Sequence, residues 1–150
     1  MSEETPIPML SQINLVVKDI AASIAFYRRL GLTVEEAGHP KWAAHHATAI
    51  MPNGMRMELD SASFAKQWNP GWKDRGAGSL GVLFFTVSTR EDVDRLHATL
   101  SAVGYPSQQL PCDAFWGARY AIIEDPDGNS VGIMSPIDPA YRRTPPPPPF

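Results

Sequence analysis

Cysteine is almost missing from this chain: of 150 residues only Cys112 carries a thiol. That excludes an intrachain disulfide and a zinc site built on cysteines. Cys112 follows Pro111, with no positioned base evident beside it, so a nucleophilic role has no support. Positive charge is not in excess either. Thirteen Lys and Arg face sixteen Asp and Glu, a net charge of -3, so phosphate neutralisation and nucleic-acid binding are not expected. No apolar run reaches the roughly 18 residues of a membrane span. The opening stretch from Met1 to Leu10 lacks the charged-then-apolar pattern of a secretion signal. Gly76-Ala77-Gly78 is a short connector that leads into no helix, so no phosphate-binding glycine loop is present. The expectation is a soluble, cytoplasmic protein with no membrane or nucleic-acid partner.

What is there is a folding composition, 43% hydrophobic and 9% aromatic, at about one domain's length. Proline is frequent, but five of the fifteen form the run Pro145 to Pro149. That run predicts an extended, solvated tail, read as a frayed terminus, with docking to a proline-reading partner as the alternative.

The body reads as one unit written twice. Ile13, Leu15 and Val17 alternate along a strand. Asp19 then caps a helix whose apolar stripe includes Ile20, Ile24 and Tyr27 and which Gly31 closes. A short strand at 32–35 and two strands at 42–50 and 55–60 follow, the last two around the turn Met51-Pro52-Asn53-Gly54. A shift of 70 residues carries the first strand onto Leu83, Phe85 and Val87. Ser88-Thr89-Arg90-Glu91 matches a capping box, and Val93, Leu96, Leu100 and Val103 make the second helix's stripe up to Gly104. Strands at 108–110, 117–124 and 129–134 complete the second copy, the last two joined by Asp125-Pro126-Asp127-Gly128. Strand, helix and three strands, twice, argue an α+β fold with each helix covering one sheet face. The expected layout is an N-terminal arm (1–8), one domain (9–136, repeats about 9–61 and 79–136) and a proline-rich tail (137–150). Residues 62–78 read as a long loop, with Trp68 and Trp72 stacking on a ligand or lying in a dimer interface.

Val17-Lys18-Asp19, Ser23, Phe26-Tyr27 and Leu30-Gly31 resemble the first-helix signature of the vicinal oxygen chelate superfamily. It includes glyoxalase I, extradiol dioxygenases and bleomycin-resistance proteins. Phe115-Trp116-Gly117, Tyr120 and Asp125-Pro126-Asp127-Gly128-Asn129 are similar to its closing hairpin. The resemblance implies tandem βαβββ modules forming an open, cup-like, eight-stranded barrel, usually in a homodimer. It also implies four metal-ligand positions, which fall on Gln12, Glu58, Val82 and Gly132. Val82 and Gly132 cannot coordinate, and Gln12 is a weak ligand, so no inherited metal is expected.

A substitute site remains open. If Met51 and Gly54 bracket a tight turn, His45 lies opposite Asp60, and His45, Glu58 and Asp60 share a face where a divalent metal can bind. The competing reading is an ordinary hydrogen-bonded polar face, and a slip of one residue would exchange His45 for His46. His39 reads as a loop residue and His97 as a surface residue.

Alternation within the implied cup turns Gln12, Asn14, His45, Arg56, Glu58, Val82 and Phe84 inward, with Ala43, Ala47 and Ala49 leaving volume beside His45. Phe115, Trp116 and Tyr120 lie near the mouth, to stack on a flat ligand. The expected function is metal-independent binding of a small hydrophobic or aromatic molecule. The alternative is a lyase, isomerase or dioxygenase that uses Glu58, the best catalytic candidate, with or without a metal at His45 and Glu58. A cup filled by its own side chains, or a structural dimer without a ligand, remains the plainest reading.

Overall fold

The computed structural model describes residues 6–76 and 81–149. The chain divides into two compact units, Met1–Trp72 and Lys73–Phe150. Most of the expected N-terminal arm, and Ala77 and Gly78 of the connector, lie outside the described residues.

The first unit runs β1 (Gln12–Val16), α1 (Ile20–Leu30), β2 (Val34–Glu36), α2 (Pro40–Ala43), β3 (His46–Ile50), β4 (Arg56–Asp60) and α3 (Ala62–Trp68). Its four strands form one sheet in the order β1-β4-β3-β2, with β1 parallel to β4 and the other pairs antiparallel. Asp19 caps α1 by accepting the Ala22 N–H at 3.1 Å, and Gly31 ends it in the left-handed region at φ 115°. Ile20, Ile24, Phe26, Tyr27 and Leu30 are buried on α1. Leu15, Ala47, Ala49, Met57 and Leu59 complete this core.

The second unit repeats the topology. It runs β5 (Val82–Thr86), α4 (Arg90–Val103), β6 (Ser107–Asp113), β7 (Arg119–Glu124) and β8 (Ser130–Met134), in the sheet order β5-β8-β7-β6. Again the first strand is parallel to the last, and the other pairs are antiparallel. Val93 and Leu100 of α4 are buried with Ala121, Ile123, Val131 and Ile133. The tandem βαβββ order expected from the sequence is therefore the observed one.

Several local expectations need correction. Trp42 belongs to α2 and not to the third strand, because Pro40 at the first helical turn starts a helix capped by His39. The stretch after Asp60 is not all loop: the Ser61 hydroxyl accepts the Phe64 N–H at 3.2 Å and starts α3. The cap of α4 is Thr89, which accepts from Asp92, and not Ser88. His97 is buried against Ser107, whose hydroxyl lies 2.7 Å from Nε2.

The largest correction concerns register. The β3–β4 turn closes on Met51 and Met55, whose backbone bond is 2.8 Å, so three residues lie between them and not two. His46 therefore pairs with Asp60, and Ala47 with Leu59. Ala47 and Ala49 are buried in the helix-covered core and Ala43 is in α2, so the open pocket beside His45 is bordered by Trp42, Ser63, Phe64 and Gln67 instead.

The tail is not frayed at its start. Past Pro136 a single 3-10 turn, Pro139–Tyr141, is held by the Asp138 N–H to the Gly117 carbonyl at 3.1 Å and the Arg143 N–H to the Phe115 carbonyl at 2.9 Å.

Candidate functional site

In the first unit, the sheet face away from α1 is polar and continuously bonded. Gln12 donates to Asn14 at 2.8 Å, and Asn14 donates to Asp60 at 2.9 Å. The other oxygen of Asp60 meets His46 Nδ1 at 2.7 Å. Thr48 lies 3.2 Å from His46 Nε2 and donates to Glu58 Oε2 at 2.5 Å. Arg56 contacts Glu58 Oε1 through both Nε and Nη2, at 3.0 and 2.9 Å. The two carboxylates are 1% and 5% exposed, so this network is what makes their burial tolerable. His46 also meets the edge of Phe64, with ring centroids 5.5 Å apart, and with Phe64 and Trp42 it borders an open pocket of about 260 Å³.

Thus Gln12, Asn14, Arg56 and Glu58 come together as the sequence predicts, but His45 does not join them. Its Nδ1 lies 2.8 Å from the Ser61 hydroxyl and 3.3 Å from that of Ser63. The imidazole beside Glu58 and Asp60 belongs to His46. Among the described residues no three His, Cys, Asp or Glu side chains are arranged to hold a metal ion. The positions inherited by resemblance fit one no better. Gln12 is engaged with Asn14, Glu58 with Arg56 and Thr48, Val82 is apolar and Gly132 has no side chain.

The corresponding face of the second unit has the opposite character. Matching registers, Val82 stands where Gln12 does, Phe84 where Asn14 does, Gly132 where Glu58 does, and Met134 where Asp60 does. Tyr120 replaces His46 and Ile122 replaces Thr48. An aromatic series results. Phe84 meets Tyr120 edge-on at 6.2 Å, Tyr120 stacks on Trp116 at 5.5 Å, and Trp116 meets Phe115 at 5.1 Å. Val82 and Phe84 remain 43% and 44% exposed. The Tyr120 phenol is pushed above its ordinary range by its hydrogen bond with Cys112 and by burial.

Beside Phe115, Trp116 and Tyr120 lies an open pocket of about 450 Å³, whose other side is the tail at Arg143, Thr144 and Pro146. Sequence reasoning found the aromatics but not the tail wall, because nothing local in 137–144 marks it as docked. His46 was missed through the turn length. Alternation from Glu58 and Asp60 with the three-residue turn would have found it.

The profile of the Glyoxalase/Bleomycin resistance protein/Dioxygenase superfamily matches residues 9–133. No curated protein matches the chain. Among solved structures, a glyoxalase-related enzyme from Fulvimarina pelagi is 19% identical with a TM-score of 0.73, covering 87% of this chain and 89% of its own. A glyoxalase/bleomycin resistance protein/dioxygenase from Nocardioides is 22% identical with a TM-score of 0.68, over 91% and 88%. A lactoylglutathione lyase from Agrobacterium tumefaciens is 22% identical with a TM-score of 0.63, over 87% and 96%. At these identities the likeness speaks to fold. Among the described residues no helix is long and apolar enough to cross a membrane.

Proposed function

This chain belongs to the Glyoxalase/Bleomycin resistance protein/Dioxygenase superfamily, and from that premise we propose that it is a metal-independent binding protein for a small hydrophobic or aromatic molecule. The observation that carries this reading is the aromatic series Phe84, Tyr120, Trp116 and Phe115, the last three of which line a pocket of about 450 Å³. That volume is in the range of small-ligand sites, and the stacked pair Trp116 and Tyr120 offers a flat molecule apolar contact with defined geometry. Metal independence is supported by the donor set, since Val82 and Gly132 offer nothing to a cation.

The enzymatic reading, a lyase, isomerase or dioxygenase at Glu58, has less support. Both Glu58 oxygens already accept hydrogen bonds, from Arg56 and Thr48, and a substrate proton would compete with those donors. A thermal-shift screen of flat aromatic compounds, followed by calorimetry with and without EDTA, is the test. Saturable binding untouched by EDTA is expected, because a ligand that prefers the folded state raises its melting temperature. Binding abolished by EDTA, or no stabilisation by any compound, rejects the proposal.

A further inference from the structure

We propose that the pocket between the aromatic series and the C-terminal tail takes a flat aromatic carboxylate, with Arg143 as its counter-charge. This rests on the aromatic-ligand reading and names the chemical class of the ligand.

The tail is a fixed wall of that pocket. Besides the two backbone bonds at Gly117 and Phe115, the Arg90 guanidinium lies over the Tyr141 ring at 3.8 Å. Gly117 has a positive φ of 101°, and a Cβ there would lie 2.5 Å from the Asp138 carbonyl oxygen. The hairpin therefore needs glycine for the tail to come this close. The Arg143 side chain adds a fourth tie, donating to the Asp113 carbonyl at 2.6 Å.

Charge decides the ligand class. Two charged residues, Asp113 and Arg143, line the pocket. The Asp113 carboxylate is already held by Arg90 and by Arg119, the latter at 3.0 Å. These contacts, that with Arg119 foremost, keep it below the usual carboxylate range. Arg119 in turn pairs with Asp94 at 2.9 Å. Arg143 differs: its hydrogen bond goes to a neutral carbonyl, and among the described residues it forms no ion pair with a carboxylate. An uncompensated guanidinium at the rim of an aromatic pocket matches a planar anion, ring against Trp116 and Tyr120 and carboxylate toward Arg143.

Calorimetry of the full chain with 2-naphthoate and the neutral isostere 2-naphthamide tests this. Naphthoate should bind about tenfold more tightly, the worth of one charge-assisted contact at an open site. Arg143→Gln should erase that preference, since any loosening of the wall weakens both probes alike and cancels in their ratio, while Arg143→Lys should keep most of it. Trp116→Ala should weaken both probes. Equal affinity of the two probes for the wild type, or an undiminished preference in Arg143→Gln, overturns the carboxylate assignment and leaves the aromatic-ligand reading standing. Binding of neither probe counts against both. Unchanged affinities in Trp116→Ala place the ligand outside this pocket.

Discussion

The ring of Phe84 lies directly across Gly132, its partner in the β5–β8 ladder, so closely that a Cβ on Gly132 would sit 2.2 Å from the ring. The residue in Gly132's place in the first unit is Glu58, and opposite it stands Asn14. Where one copy pairs an amide strand position with a carboxylate, the other lays a phenyl ring over bare backbone. Aromatic cover and the missing side chain are thus one arrangement.

Gly132→Ala should consequently force Phe84 out of its position. Overpacking of this kind costs about 1–3 kcal/mol, read from the denaturation midpoint in urea. Combining it with Phe84→Leu should recover part of the loss, since residues in contact do not act additively. A midpoint unchanged by Gly132→Ala alone would refute the close packing.

Removing the Trp116 ring should weaken binding of an aromatic ligand by roughly 1–3 kcal/mol, the range for a lost stack. Calorimetry on Trp116→Ala against the best compound from the thermal-shift screen measures this directly.

Asp60 holds Asn14 with one oxygen and His46 with the other. Asp60→Ala removes the acceptor that both share and empties a buried position, at a cost of about 1–3 kcal/mol. Asp60→Asn, which keeps one acceptor, should lose less. Chemical denaturation of both variants checks the order, and equal stability of wild type and Asp60→Ala would show that the network carries no weight.

His97 titrates below the usual imidazole range because burial disfavours its charged form, with Asp94 partly opposing. The unfolded chain therefore takes up the proton first as pH falls. The stability from a neutral, buried His97 is full above about pH 6.5 and declines below it, through the folded-state value. Melting temperature followed from pH 7.5 down to 5 should fall more steeply in the wild type than in His97→Gln. Parallel curves would remove His97 from the acid response.

From the family resemblance we expect a homodimer in solution, for which the exposed Trp68 offers apolar surface. Sedimentation at micromolar concentration should give twice the chain mass, and a monomer would reject this.

The repeat was legible because its punctuation is local. Asp19, Gly31, Gly104 and the Asp125–Gly128 turn act through their own backbone neighbours, and each stands where its chemistry predicts. The polar set Gln12, Asn14, Arg56 and Glu58 was legible because strand alternation is strict. Residue 45 was misread for the same reason. One unrecognised residue in the turn after Met51 inverts every assignment on β3, and turn length depends on closure at Met55 and not on composition alone. The burial of His97 and the docking of residues 138–143 depend on contacts distant in sequence, at Ser107 and at Phe115 and Gly117, which no local pattern encodes.

Strand β6 closes one edge of the second sheet, and its pairing with β7 shifts register between Ser107 and Gln109 and again between Gln109 and Cys112. Pro111, in the second of these irregular stretches, has no N–H to offer. An added strand from another chain needs a straight, evenly spaced row of donors and acceptors, and this border supplies neither. With Leu110 67% exposed beside it, the same edge left regular would invite edge-to-edge aggregation. The irregularity makes it self-terminating, and straightening it, for instance by Pro111→Val, would be expected to cost solubility before it cost stability.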